Sequence, residues 1–353
     1  MSKLLQKANE YLKENLPFVI YSKPNEVEII GLFQKDISLN YTQDFSERGF
    51  VFAPFDGEKI VLISESNSEI LVEKIQEITT ESDSELSSEI NRQAKENFEN
   101  LVQNGIDVIN LGIFQKVVLS RTEAVSLENS NVIYLFQKLV AIYPTAFKYC
   151  FFHPKVGLWL GATPEQLLKV NSNEIKTVAL AGTQVFKEGE ITWQNKEKNE
   201  QQFVTDFILE NLSKFVSFKK STAPYTFRAG NIVHIKTDIS ASLKDKKELK
   251  KILEILHPTP AVCGFPKAEA KEFILKNEGY NREYYAGFLG ELNKDFATNE
   301  IEKSDLFVNL RCMKIEDKTA NLFIGCGITK DSDPEKEFFE TVNKSLTMKK
   351  VLR

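Results

Sequence analysis

The chain has 353 residues, 42% of them hydrophobic and 27% charged, with a net charge of −5, a composition that suits one large globular domain or two ordinary ones. It carries no basic block or basic-aromatic tract, which argues against a nucleic-acid partner, and its apolar runs fall far short of a membrane span. The four cysteines lack C-x-x-C spacing and the three histidines lack the spacing of a zinc pair, so buried reduced thiols, a cytoplasmic setting and no His-based metal site are expected.

In chain order, MSKLLQKANEYLKENL reads as a short amphipathic helix with charges throughout and no secretory core. Residues 17–65 alternate strand-like runs (PFVIYS, VEIIGLF, GFVFAPF, KIVLIS) with turn residues and predict an antiparallel sheet. The Ser/Glu-rich stretch 77–89 reads as an exposed connection. A helix is expected from about Ser88 to Val102, with Ile90, Ala94, Phe98, Leu101 and Val102 on one face and Gly105 at its end. There is no internal repeat, and nothing marks a flexible linker between domains.

The run LGIFQKVVLSRTEAV (111–125) is a predicted strand interrupted by a charge. By parity Lys116 shares a face with Phe114, Val118 and Ser120. Two readings stand: a lysine pointing to solvent from an edge strand, or one in a cleft where desolvation lowers its pKa and makes it a base. A helix over Asn131–Tyr143 ends at Pro144, and KYCFFHP and VGLWLGATPEQLLKV follow as two strands. Within the second, Glu165 directly after Thr163-Pro164 is either a cap or an acid kept protonated by burial. KTVALAGTQVF (176–186) is a strand in which a glycine, Gly182, permits a close approach to the backbone.

The predicted helix Asn195–Phe215 has an apolar stripe of Phe203, Val204, Phe207, Ile208, Leu212 and Phe215, and Glu200, with Glu197 one turn earlier, heads that buried face. An ionised carboxylate there needs either a lysine or a metal. FRAGNIVHIKTDISASL (227–243) is a strand holding His234 and Thr237, and a lone strand histidine is more often structural. Helix 246–256, the proline-rich loop HPTPAVCGFPK, helix 267–276 and the strand NREYYAGFLGEL come next. LFVNLRCMKI (306–315) carries Arg311 mid-strand, which faces solvent or, if buried, needs an anion. In FIGCGITKDSDPEKEFFETVNK (323–344) a glycine-containing strand runs into a helix begun by Asp333-Pro334. Glu337, Glu340 and Lys344 share one face of that helix, as a solvated Glu–Lys pair or as carboxylates for a hard cation.

Lys116, Glu165, Glu200, Arg311, Glu337 and Glu340 are the residues that burial or solvation explains least. A base, an acid, metal carboxylates and an anion clamp suit a Mg²⁺-dependent enzyme acting on a small carboxylate.

The blocks FQKVVLSR, GATPEQL, ALAGT, KNEQQFV, IVHIKTDIS, LHPTPAVCGFPK, NREYYAGFLGE, VNLRCMKI and the 323–344 stretch resemble, in order across roughly residues 110–350, the chorismate-utilising enzymes. The likeness is greatest to the isochorismate synthases. It implies an α/β (α+β) fold of the anthranilate-synthase-component-I type, one large domain of antiparallel sheets packed against helices. Residues 1–105 would be its variable N-terminal part and 106–353 its motif-bearing core. It also implies roles: Lys116 as the base that activates a water, Glu165 as the acid that protonates the departing hydroxyl. Glu200 and Glu340 would hold Mg²⁺, with Glu337 and Glu197 acting near it through water. Arg311 and Tyr285, with backbone N–H groups around Gly325 and Gly327, would orient the carboxylates of chorismate, and Gly182, His234 and Thr237 would line the pocket.

Relatives that use ammonia typically carry glutamine at the position of Lys116, or a nucleophilic lysine at that of Ala181. The lysine and alanine here favour water over ammonia as nucleophile, which leaves isochorismate synthase against salicylate synthase, and ALAGT leans towards the former. The product of such an enzyme enters menaquinone or siderophore biosynthesis. A monomer is expected, and a non-catalytic subunit is disfavoured because both acid and base are present. One departure is Gln201, where a histidine often follows the metal-binding glutamate. It is expected to change the contacts behind the metal rather than the ligands.

Overall fold

The computed structural model describes residues 2–74, 90–127, 131–186, 188–189, 191–229 and 232–352; the connection expected over 77–89 lies outside them. The chain begins with helix α1 (Lys3–Lys13) and strands β1 (Phe18–Ser22), β2 (Glu28–Gln34), β3 (Gly49–Ala53), β4 (Val61–Ser64) and β5 (Ser68–Lys74). Helix α2 (Arg92–Asn110), β6 (Lys116–Ser126), α3 (Val132–Ile142), β7 (Phe147–His153), β8 (Gly157–Thr163), β9 (Gln166–Asn171) and β10 (Glu174–Val185) follow. Then come α4 (Asn195–Leu212), β11 (Val216–Ser221), β12 (Tyr225–Ala229), β13 (Ile232–Leu243), a 3-10 turn, α5 (Leu249–Leu256), β14 (Gly264–Phe265) and α6 (Lys267–Asn277). The last elements are β15 (Phe288–Leu292), β16 (Lys303–Val308), β17 (Cys312–Glu316), β18 (Thr319–Ile328) and α7 (Pro334–Leu352).

Among the described residues the strands form two sheets, ordered β14-β6-β18-β17-β8-β7-β1-β2-β5 and β11-β13-β10-β9-β16-β15-β3-β4, with β12 added on β13. The pairings between them are antiparallel, from β1–β2 to β18–β6. Strand β1 (FVIYS) is buried throughout because both its faces are covered. Phe18 and Ile20 pack with α1 and α3 residues such as Leu4 and Phe136. Val19 and Tyr21 face the other way, into the larger core with Phe50, Phe52, Phe147 and Trp159. That is why the run reads as continuously apolar rather than alternating.

Several expectations are revised. The four runs over 17–65 split between both sheets, two strands each, and a fifth strand, β5, follows them. Helix α2 starts at Arg92, so Ile90 precedes it, and runs on through Gly105 to Asn110; a Cβ at Gly105 would stand 3.2 Å from Leu119 Cδ1, so the glycine lets the helix lie on β6. The run 227–243, expected as one strand, falls on two, β12 and β13, which pair antiparallel. The α4 stripe holds at Val204, Ile208 and Leu212, whereas Phe203 is 43% exposed. All four cysteines are buried and unpaired, and no helix among the described residues is long and apolar enough to cross a membrane.

Candidate active site

The runs 157–171 and 303–316, each expected to contain one strand, are both broken, and at the same place. Strands β8 and β17 are neighbours in the first sheet, Gly161 opposite Cys312, and their continuations β9 and β16 are neighbours in the second, Gln166 opposite Phe307. The two antiparallel segments thus cross together from one sheet to the other. Pro164 has no N–H for either ladder and Arg311 takes a left-handed φ of 48°. The crossing is stitched by Thr163 Oγ1 donating to the Val308 carbonyl (2.5 Å), Val308 N–H to the Glu165 carbonyl (2.9 Å) and Ala162 N–H to the Arg311 carbonyl (3.0 Å). Glu165 and Arg311 leave the sheets here, where the sheets part.

The gap is a cavity of about 1230 Å³, open solvent at its mouth included. Every candidate site residue that the resemblance implies lines it except Thr237. Lys116 and Val118 come from β6, Gly182 from β10, Glu197 and Glu200 from α4, His234 from β13, Gly325 and Gly327 from β18, and Glu337, Glu340 and Lys344 from α7. Lys116 therefore faces the cleft rather than bulk solvent. Phe114, its expected face-mate, precedes the strand and packs on Phe273, and Ser120 bonds Glu278 and Tyr280. Thr237 lies beneath α4 instead, accepting a hydrogen bond from Gln201 Nε2 at 2.7 Å. It sits one residue out of phase with His234, so the pleat turns it to the opposite face.

The glycines make room. A Cβ at Gly327 would stand 3.2 Å from Lys116 Cε, and one at Gly325 would stand 2.7 Å from the Tyr285 hydroxyl. Gly182, at a bulge with φ 71°, would place a Cβ 2.9 Å from that of Glu197, so only glycine lets α4 settle here. Past Phe323, β18 pairs with β6 alone. The Gly325 carbonyl on this stretch accepts from Lys344 Nζ at 2.9 Å.

Burial raises the Glu165 carboxyl to about 7, offset in part by Lys116, Arg311 and Lys344, so it holds its proton near neutrality. Burial pushes His234 down to about 4. Its Nδ1 donates to the Gly182 carbonyl at 3.2 Å, which leaves Nε2 as the acceptor of a neutral ring. Arg311 reaches the Lys344 carbonyl at only 3.5 Å. A guanidinium so poorly matched in a cavity wall suits an incoming carboxylate.

Mg²⁺ prefers oxygen donors, and four carboxylates, Glu197, Glu200, Glu337 and Glu340, line the cavity from two helices. Glu197 Oε2 is buried with no hydrogen-bond partner among the described residues, a group that asks for a cation. Among the described residues no three His, Cys, Asp or Glu side chains are grouped as a ready-made cage. Mg²⁺ keeps several waters and takes one or two protein carboxylates, so this donor set fits it. Lys344, which the sequence offered only as a partner for glutamate, is itself a cavity residue and grips Glu340 Oε1 at 2.6 Å. Its signal was present in the spacing, but nothing along the helix distinguished a cavity-facing pair from a solvated one.

Residues 56–353 match the family described as "Chorismate binding enzyme". The chain belongs to that family. It is 31% identical to the salicylate biosynthesis isochorismate synthase of Pseudomonas aeruginosa over 271 residues, 74% of this chain and 55% of that protein. It is 31% identical to isochorismate synthase MenF of Escherichia coli over 204 residues, 55% of this chain and 46% of that protein. The matched stretch thus spans about half the length of these curated relatives. The solved structure of MenF, the menaquinone-specific isochorismate synthase from Escherichia coli, superposes with a TM-score of 0.80 at 21% identity, covering 100% of this chain and 92% of that one. The chain therefore has the expected fold.

Proposed function

We propose that the chain is an isochorismate synthase, an isomerase that converts chorismate to isochorismate with water as nucleophile. The observation that carries this reading is the convergence of Lys116, on β6, and a recessed Glu165, at the break between β8 and β9, on one cavity that also holds Arg311 and four further carboxylates. The names of the relatives support the reaction, and four buried unpaired thiols accord with a cytoplasmic setting.

Lys116 takes a proton from the attacking water as its oxygen bonds to one ring carbon. The ring double bonds shift, and the hydroxyl on another ring carbon leaves as water with the proton of Glu165. Proton exchange with solvent then returns both groups to their starting states. Arg311 and Tyr285 orient the substrate carboxylates, and the Nε2 acceptor of His234 faces substrate hydroxyl or water. Glu200 and Glu340 would hold Mg²⁺, with Glu337 and Glu197 nearby. When bound, that ion neutralises a substrate carboxylate and fixes its position.

General acid–base catalysis of this kind contributes about 10²–10⁴-fold. Incubation with chorismate and Mg²⁺, with products separated by chromatography, should give isochorismate alone. Salicylate with pyruvate, or an ammonia-dependent amino product, would refute the assignment. Lys116→Ala and Glu165→Gln should each lose about 10²-fold or more in kcat, and near-wild-type turnover by either would remove that residue from its role.

A further inference from the structure

The inward face of α4 changes character along its length. Glu197 and Glu200 line the cavity, whereas Val204, Ile208 and Leu212 are 2%, 2% and 1% exposed and sit in the core. Gln201 lies at the seam between the two halves, 1% exposed. Its Nε2 donates to Thr237 Oγ1 on β13 at 2.7 Å and to Thr205 Oγ1, one turn on, at 2.8 Å. Both hydroxyls are buried as well, Thr237 at 1% and Thr205 at 6%.

Ahead of α4 the chain is tied to the sheet by Trp193 Nε1 donating to Thr226 Oγ1 at 2.8 Å and Gln184 Nε2 to the Thr192 carbonyl at 3.1 Å, both exposed, whereas the bond at Gln201 is buried. The sequence from Asn195 to Gln202 is wholly polar, and the N-cap residue Gln194 makes no side-chain cap bond. Helix ends without caps fray, and apolar contact begins only at Phe203, which stacks on Phe265 at 5.9 Å while staying 43% exposed, with full burial from Val204 onward. At Glu197 the helix rests on Gly182, a contact that allows close approach but supplies no bond. A buried amide–hydroxyl bond, by contrast, is costly to leave half-made, which gives it directional hold.

We propose that Gln201 is a positioning residue: through Thr237 it fixes the first turns of α4 on β13 and so presents Glu197 and Glu200 to a divalent cation. This rests on the Mg²⁺ reading given above. Gln201 touches neither substrate nor metal. Its effect passes through the backbone of Glu200, its immediate neighbour, and of Glu197, one turn away. Thr237 gains a role in place of the pocket-lining one expected from the sequence.

The test is Mn²⁺ titration followed by electron paramagnetic resonance, without substrate and again with chorismate, on wild type, Gln201→Leu, Thr237→Val and the double variant. Each single variant should bind Mn²⁺ about 10- to 100-fold more weakly, as loss of a group behind a metal ligand typically does. The double variant should be no worse than the weaker-binding single one, because both remove the same bond. Amide hydrogen exchange over residues 195–202 should quicken while the sheets keep wild-type protection. Wild-type Mn²⁺ affinity in Gln201→Leu, or additive losses in the double variant, overturns the inference. Should Gln201→Leu not fold, the shape-conserving Thr237→Val decides alone by the same criteria. If wild type takes up no Mn²⁺ in either condition, the metal reading falls and this inference with it. If wild type binds and Gln201→Leu binds equally, only this inference falls.

Discussion

Helix α7 arrives at the cavity with its own groups paired. Asp333 caps it, accepting from the Lys336 N–H at 2.9 Å, and Glu340 is bound to Lys344 at 2.6 Å. Arg121 donates to Thr341 at 2.8 Å and lies over the Phe338 ring at 5.1 Å. Helix α4 arrives without a side-chain cap, and Glu197 Oε2 is buried with no partner among the described residues. The same residue type on two helices facing one cavity is thus bonded in two ways. On α7 a protein cation already neutralises a carboxylate. On α4 a carboxylate oxygen is buried with no hydrogen bond among the described residues, and a cation held there would satisfy it.

The contrast is sharpened most by Glu200→Ala, which should lower Mg²⁺-dependent turnover by more than the ~10–100-fold typical of outer contacts, together with direct Mn²⁺ binding. Retained, metal-dependent activity would place the cation elsewhere. Next in size is Gly327→Ala. Its Cβ would stand 3.2 Å from Lys116 Cε and 3.6 Å from Nζ, the far end of a flexible chain. Turnover should fall about 10-fold or more through misplacement of the base, with urea unfolding and Mn²⁺ binding unchanged; an equal loss of metal binding would show that the strand and helix halves are not separable.

Gly182→Ala acts on the α4 half. A left-handed φ of 71° and a clash at 2.9 Å with Glu197 Cβ should cost about 1–2 kcal/mol for the backbone alone, read by denaturant unfolding. Mn²⁺ affinity should drop alongside stability. The acid sets the pH response. With Glu165 raised to about 7 and required protonated, kcat/KM should decline as pH rises through that value, by at most about tenfold per pH unit. A profile flat from pH 6 to 8.5 would contradict the assignment. The smallest effect is Lys344→Met on stability, since a partly exposed i,i+4 pair contributes about 0.3–0.5 kcal/mol. A much larger loss in urea unfolding would mean that the pair anchors α7.

The sequence was most legible where one face of an element sees one environment. The stripe of α4 from Val204 to Leu212 and the Asp333-Pro334 start of α7 were visible because local spacing and capping chemistry dictate them. Lys116 and Glu165 stood out because a charge in an apolar run needs a reason. Thr237 was misplaced because its likeness to family motifs does not carry the phase of the pleat. The glycines at 325 and 327 were noticed, but their cause, space for Tyr285 and Lys116, comes from residues far away in the chain.

Composition, periodicity and family motifs thus determined the fold class, most of the helices and the identity of the candidate acid, base and carboxylates. Only the tertiary structure decided that the strand runs at 157–171 and 303–316 break together at Glu165 and Arg311 as they pass between sheets. The same holds for Gln201 tying α4 to Thr237. A single strand's pattern records which side chains are apolar, but a crossing and a buried amide bond are properties of two segments at once, and neither segment encodes them alone.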